Sequence, residues 1–99
     1  MERMVDFLDS SLNMPILLEF WTPWCTICQS IEPDVVEFEK EISANWRFVK
    51  IDASINTPLV LEFDIYGSPT FIIIKGGQVI KKFKGNTFDD VKDFVRALK

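Results

Sequence analysis

Following Pro15, the residues Ile16-Leu17-Leu18-Glu19-Phe20-Trp21 form a nearly unbroken apolar run of strand length. A strand with one face in water alternates apolar and polar residues. One that does not alternate must be covered on both faces, so the chain needs a layer on each side of it. Its 99 residues limit how that can be done. A chain of this size buries about two thirds of its unfolded surface around one core, which predicts a single domain over residues 1–99. A composition 47% hydrophobic and 13% aromatic, with 26% charged residues, excludes disorder, collagen and coiled coil.

The segments around this run follow one alternation. Val5, Leu8 and Leu12, with Phe7 nearby, recur at helical spacing and predict a first helix. From Cys25 to Ser43, the residues Ile27, Ile31, Val35, Phe38 and Ile42 predict a long amphipathic helix, with Pro33 inside it as a structural bend. Trp46 to Asp52 reads as a strand, and Thr57-Pro58 as the N-cap and first turn of a helix with Leu59, Val60 and Phe63 on its face, ending at Gly67. Thr70 to Ile74 is β-branched and aromatic, Gly76-Gly77 is a tight-turn signal, and Gln78 to Lys84 makes a hairpin's second arm. Asn86 or Thr87 then caps a last helix carrying Val91, Phe94, Val95 and Leu98. The order α, β, α, β, α, β, β, α implies an α/β domain: a central mixed four-stranded sheet, parallel in its first strands, antiparallel in its hairpin and flanked by helices on both faces.

The sequence has no His and only two Cys. That removes His-assisted hydrolysis, His-liganded zinc and haem ligation by imidazole, and one chain alone cannot build a four-thiolate metal site. No resident cofactor is implied. The net charge is −4, with nine acids against three bases in residues 1–49 and eight bases against six acids in residues 50–99. No basic stripe for nucleic acid results, and Lys81, Lys82 and Lys84 read as a solvated strand face. No run approaches membrane-spanning length, and the opening Met-Glu-Arg-Met-Val-Asp lacks the pattern of a signal peptide, so a cytoplasmic location is expected.

Cys25-Thr26-Ile27-Cys28 lies between the buried strand and the long helix, which puts Cys25 at a helix N-terminus. Unsatisfied amides and the positive end of the helix dipole favour an anion there. In such settings a thiol pKa falls from about 8.5 to between about 3.5 and 7.5. The spacing makes Cys25, at the exposed start, the attacking nucleophile and Cys28, one turn inside, the resolving thiol. In a reducing compartment such a pair is catalytic or redox-sensing rather than a structural staple. The chemistry this predicts is two-electron exchange between dithiol and disulfide.

Together, Phe20-Trp21-Thr22-Pro23-Trp24-Cys25-Thr26-Ile27-Cys28, Ile31-Glu32-Pro33, Val49-Lys50-Ile51-Asp52, Tyr66-Gly67-Ser68-Pro69-Thr70-Phe71 and Lys75-Gly76-Gly77 resemble the thioredoxin family in order and separation. The resemblance covers residues 16–99 and implies the thioredoxin fold. The chain before Ile16 is too short for the family's first strand and first helix at full length, so that strand is expected to be missing or vestigial. By resemblance the bond before Pro69 is cis, and the Ser68 main chain pairs with an extended substrate peptide by strand addition. The same resemblance implies a protein-disulfide reductase acting on protein disulfides as a monomer and kept reduced by an electron-donating reductase such as a thioredoxin reductase.

The chain departs from the family pattern in several places. Thr26-Ile27 replaces the usual Gly-Pro, which predicts a shifted and more oxidising potential. Glu19 stands where the family commonly has Asp. A charge in an apolar strand is costly without a role, so Glu19 is expected to transfer a proton to and from Cys28, the other reading being a merely paired carboxylate. The family's accompanying lysine aligns with Phe48, and Lys50, on the same strand face, is a candidate substitute. Trp24, Thr26 and Ile27 are expected at the substrate surface, and Trp21 is given a structural role, an indole in the core being able to hydrogen-bond through its N–H. Two other functions fit the same residues. One is a redox-independent adaptor or chaperone using the patch of Trp24, Ile27 and Pro69. The other is a metal centre shared between two chains through Cys25 and Cys28, which the family's proline disfavours.

Overall fold

The computed structural model describes residues 2–98. Its elements are α1 (Met4–Ser10), β1 (Ile16–Trp21), α2 (Thr26–Ile42), β2 (Arg47–Asp52), α3 (Thr57–Glu62), β3 (Thr70–Lys75), β4 (Gln78–Lys84) and α4 (Phe88–Ala97). The strand order is β2-β1-β3-β4. β1 runs parallel to β2 and antiparallel to β3, and β3 runs antiparallel to β4. This is the mixed four-stranded sheet that the alternation predicts. Among the described residues no strand precedes β1, so β2 is an edge strand.

The apolar run explains the layering. Ile16, Leu18 and Phe20 face one way and pack with Phe7 of α1 and with Leu59 and Phe63 at α3. Leu17 faces the other way, against Val35, Phe38 and Ile42 of α2 and Val91 and Val95 of α4. Ile16, Leu17, Leu18 and Phe20 are all 0% exposed, as a strand with no solvent face must be. Pro33 lies inside α2, which continues through it to Ile42.

Several local expectations shift. In α1 the inward residue is Phe7; Val5, in its first turn, faces outward at 59% exposed, and Leu12 is 69% exposed because the helix stops at Ser10 before Leu12 can join its face. Trp46 precedes β2, with its N–H donating to the Ile42 carbonyl at 2.9 Å and closing the end of α2. The N-cap of α3 is Asn56, not Thr57. That helix ends well before Gly67, because Asp64 takes a left-handed φ of 58°. The Ile65 N–H then returns to the Val60 carbonyl at 2.9 Å, closing the helix as a glycine usually does. Lys82 is not simply solvated: its Nζ donates to the Phe63 and Asp64 carbonyls at 3.1 and 2.5 Å and neutralises that helix end. Phe83 and Phe94 are half-buried and meet edge-on at 5.8 Å.

Two connections position the site. Gly76 and Gly77 both have positive φ, at 62° and 83°, as a two-residue hairpin link requires. β3 lies antiparallel to β1 with Phe20 opposite Thr70, so the loop before β3 arrives beside the loop after β1. Leu17 tests the layering. Leu17→Ala is expected to lower the unfolding free energy by about 3 kcal/mol, measured by urea denaturation of the oxidised protein. A loss under about 1 kcal/mol would mean that the contact of β1 with α2 and α4 does not hold the fold.

Candidate active site

The end of β1, the start of α2 and the loop before β3 converge. Cys25 is the N-cap of α2, with extended backbone (φ −82°, ψ 106°), and its sulfur accepts the Cys28 N–H at 3.0 Å. This occupies one of the orphan amides of the first turn with a polarisable acceptor. Cys25 and Cys28 form a disulfide, with Cα atoms 5.2 Å apart. The expected difference in access between the two thiols is not found: Cys25 is 7% and Cys28 6% exposed. What separates the two residues is position, Cys25 at the cap and Cys28 in the first turn.

Trp24 stands in front of the pair, 71% exposed. Thr26 is exposed, but Ile27 is only half-exposed. The Ser68–Pro69 peptide bond is cis, Pro69 is buried and Ser68 half-buried. Among the described residues, no backbone hydrogen bond engages the Ser68 N–H or C=O. The Ser68 hydroxyl sits 2.8 Å from that of Thr22, and either can be the donor. This bridge ties the loop before Cys25 to the loop before β3, and Thr22 carried no signal of its own in the sequence.

Glu19 is 1% exposed, on the face of β1 that α2 covers. Its Oε1 has no hydrogen-bond partner among the described residues. Burial pushes its carboxyl pKa up to about 7; the nearby Glu32 carboxylate adds to this, Lys50 opposes it and Glu39 adds a little more. Lys50 is in register beside Glu19 but forms no ion pair with it. Its Nζ instead lies 2.8 Å from Glu32 Oε1 and 3.9 Å from Glu39 Oε1. Glu32 is the residue the sequence reading passed over. Its spacing of four from Cys28 places both on one stripe of α2.

Trp21 is half-buried and lines two recesses, one of about 170 Å³ with Cys28 and Glu32 and one of about 290 Å³ with Glu32 and Lys50. Among the described residues, no group of three or more His, Cys, Asp or Glu converges to hold a metal ion, and no helix is long and apolar enough to cross a membrane.

Burial of Glu19 also ties stability to pH. Its pKa rises from the usual 4.5 to about 7 on folding, so the folded state holds the proton more tightly. Stability from this group is therefore full below about pH 4.5 and is lost as pH rises through about 7, a fall of about 3 kcal/mol. Urea denaturation of the oxidised protein across that range is expected to show this fall in the wild type and its removal in Glu19→Gln. An identical pH dependence in the two proteins would mean that Glu19 ionises as it does in water.

Comparisons with known proteins bear on the same residues. The family model Thioredoxin matches residues 5–97. A thioredoxin of Pyropia yezoensis is 36% identical over 66 residues, 67% of this chain and 62% of that protein. A bifunctional thioredoxin reductase/thioredoxin of Mycobacterium leprae is 33% identical over 75 residues, 76% of this chain and 16% of that protein. The matches thus span less than two thirds of either relative's length. Among solved structures, Fasciola hepatica thioredoxin superposes with a TM-score of 0.83 at 26% identity, covering 93% of this chain and 88% of that one.

Proposed function

The chain belongs to the thioredoxin family, and from that premise we propose that it is a thiol–disulfide oxidoreductase that reduces disulfides of protein substrates. The observation that carries the reading is the Cys25–Cys28 disulfide at the N-terminus of α2, with the Cys28 N–H directed at the Cys25 sulfur. The same donor and the helix terminus stabilise a Cys25 thiolate once the pair is reduced.

In the proposed reaction the Cys25 thiolate attacks one sulfur of a substrate disulfide. A bond forms between Cys25 Sγ and that sulfur, and the substrate's other sulfur leaves as a thiolate that takes a proton from water. Cys28 then gives its proton to the Glu19 carboxylate and attacks Cys25 Sγ. This forms the Cys25–Cys28 disulfide and releases the second substrate thiolate, so two electrons have passed to the substrate. A carboxyl with a pKa of about 7 is divided between its two forms near neutrality, which suits a group that must take up and return this proton.

Specificity is assigned to Trp24, Thr26 and Ile27 beside the nucleophile and to the unengaged Ser68 main chain, which can pair with an extended peptide next to Pro69. Trp21 and Pro33 are given structural roles. An electron-donating reductase of the thioredoxin reductase type returns the dithiol; in the Mycobacterium leprae relative the two names share one chain. The proposal further includes a monomer acting in the cytoplasm.

Insulin reduction driven by dithiothreitol tests the reaction. The wild-type protein is expected to accelerate it and Cys25→Ser to return the rate to background. Cys28→Ser is expected to stall as a covalent adduct with the substrate, visible on a non-reducing gel. An inert wild type, together with a double Cys→Ser protein that still captures its partners, would replace this reading with the adaptor.

A further inference from the structure

Lys50 is placed to pair with Glu19 and does not. The two stand in register on adjacent parallel strands and on the same sheet face, where strand spacing is only about 4.8 Å. Yet the Lys50 ammonium turns to α2, 2.8 Å from Glu32 and 3.9 Å from Glu39. Among the described residues, Glu19 is left with an unpartnered Oε1. The charged groups acting on Glu19 are Glu32 and Glu39 from α2 and Lys50 from β2. Phe71, its register neighbour on β3, carries no charge, and the two cysteines are joined to each other.

A buried carboxylate and a surface carboxylate therefore compete for one ammonium. Pairing with Glu32 keeps both charges half in water, whereas pairing with Glu19 would bury both, and desolvating two ions can exceed their attraction. Lys50 is itself held above its ordinary range: burial pulls its pKa down, and the hydrogen bond and charge of Glu32, with smaller help from the Glu39 and Glu19 charges, more than compensate. Glu32 also walls both recesses beside Trp21, the one reaching Cys28 and the one reaching Lys50.

We infer that Glu32 is a positioning residue: by holding Lys50 it withholds the ammonium from Glu19 and keeps that carboxyl a base matched to the Cys28 thiol. The catalytic consequence rests on the oxidoreductase reading, whereas the partition of Lys50 does not. Without Glu32 the ammonium is free to turn to Glu19, which would stay ionised at lower pH and accept a proton less readily.

The ionisation of Glu19 can be followed directly in the oxidised protein, where no thiol titrates, from its side-chain carboxyl 13C shift, assigned by its loss in Glu19→Gln. Glu32→Gln is expected to lower the midpoint by about one pH unit, a tenfold change in the acid constant. Glu39→Gln should lower it less, and Lys50→Met, or Lys50→Gln if the first folds poorly, should raise it. In the Lys50→Met background Glu32→Gln is expected to lose most of its effect. An equal shift with and without Lys50 would make Glu32 an ordinary neighbouring charge and overturn the inference, as would an unmoved midpoint in Glu32→Gln. Insulin reduction on the same proteins separates the two readings. An inert wild type with these shifts intact ends the oxidoreductase reading alone, and an unmoved midpoint in an active protein ends this one alone.

Discussion

Strand β1 has no face in water, and that constraint arranges most of the molecule. Five of its six residues are apolar and its first five positions are buried, so helices are needed on both sides and strands on both edges. β2 and β3 flank it, α2 and α4 cover one face, α1 and α3 the other. The start of α2 is thereby fixed just beyond the end of β1. The cysteines occupy a helix N-terminus because the chain must turn there to cover the strand it has just left.

Glu19 is the one exception to the burial rule inside β1. Its side chain lies on a face built to cover an apolar strand, and among the described residues nothing donates a hydrogen bond to its Oε1. An unsatisfied buried acid is tolerated by staying protonated, which is why its ionisation moves toward neutrality. The feature that weakens the strand is also the one that gives the chain, which has no His, a proton acceptor near physiological pH.

The fold was legible because its signals were strong and local: an apolar run, helical spacing on α2, and a glycine pair at the hairpin. What was missed depended on contacts between elements or on unusual local backbone. Asp64 ends α3 in a conformation that glycine usually supplies, so the helix was read too long. The face of α1 was misread because Leu12 keeps the helical spacing but lies beyond the end of the helix. At the site the cysteine pair and the neighbourhood of Pro69 were legible from motif spacing. The ion pair of Lys50 with Glu32 was not, because the two residues lie 18 apart and only packing of α2 on β2 brings them together. The similar burial of the two cysteines was equally hidden, since it depends on the elements packed around them.

The contact between the Thr22 and Ser68 hydroxyls has a consequence for the surface it borders. A hydroxyl carries one donor and two acceptor lone pairs, and this bridge uses one proton and one lone pair of the four-atom group. Whichever way it is oriented, one hydroxyl proton stays available and further lone pairs remain. The seam between the two loops can therefore offer a donor or an acceptor to what lies against it by reversing its own polarity, without parting. It is a contact constant in position and variable in sign.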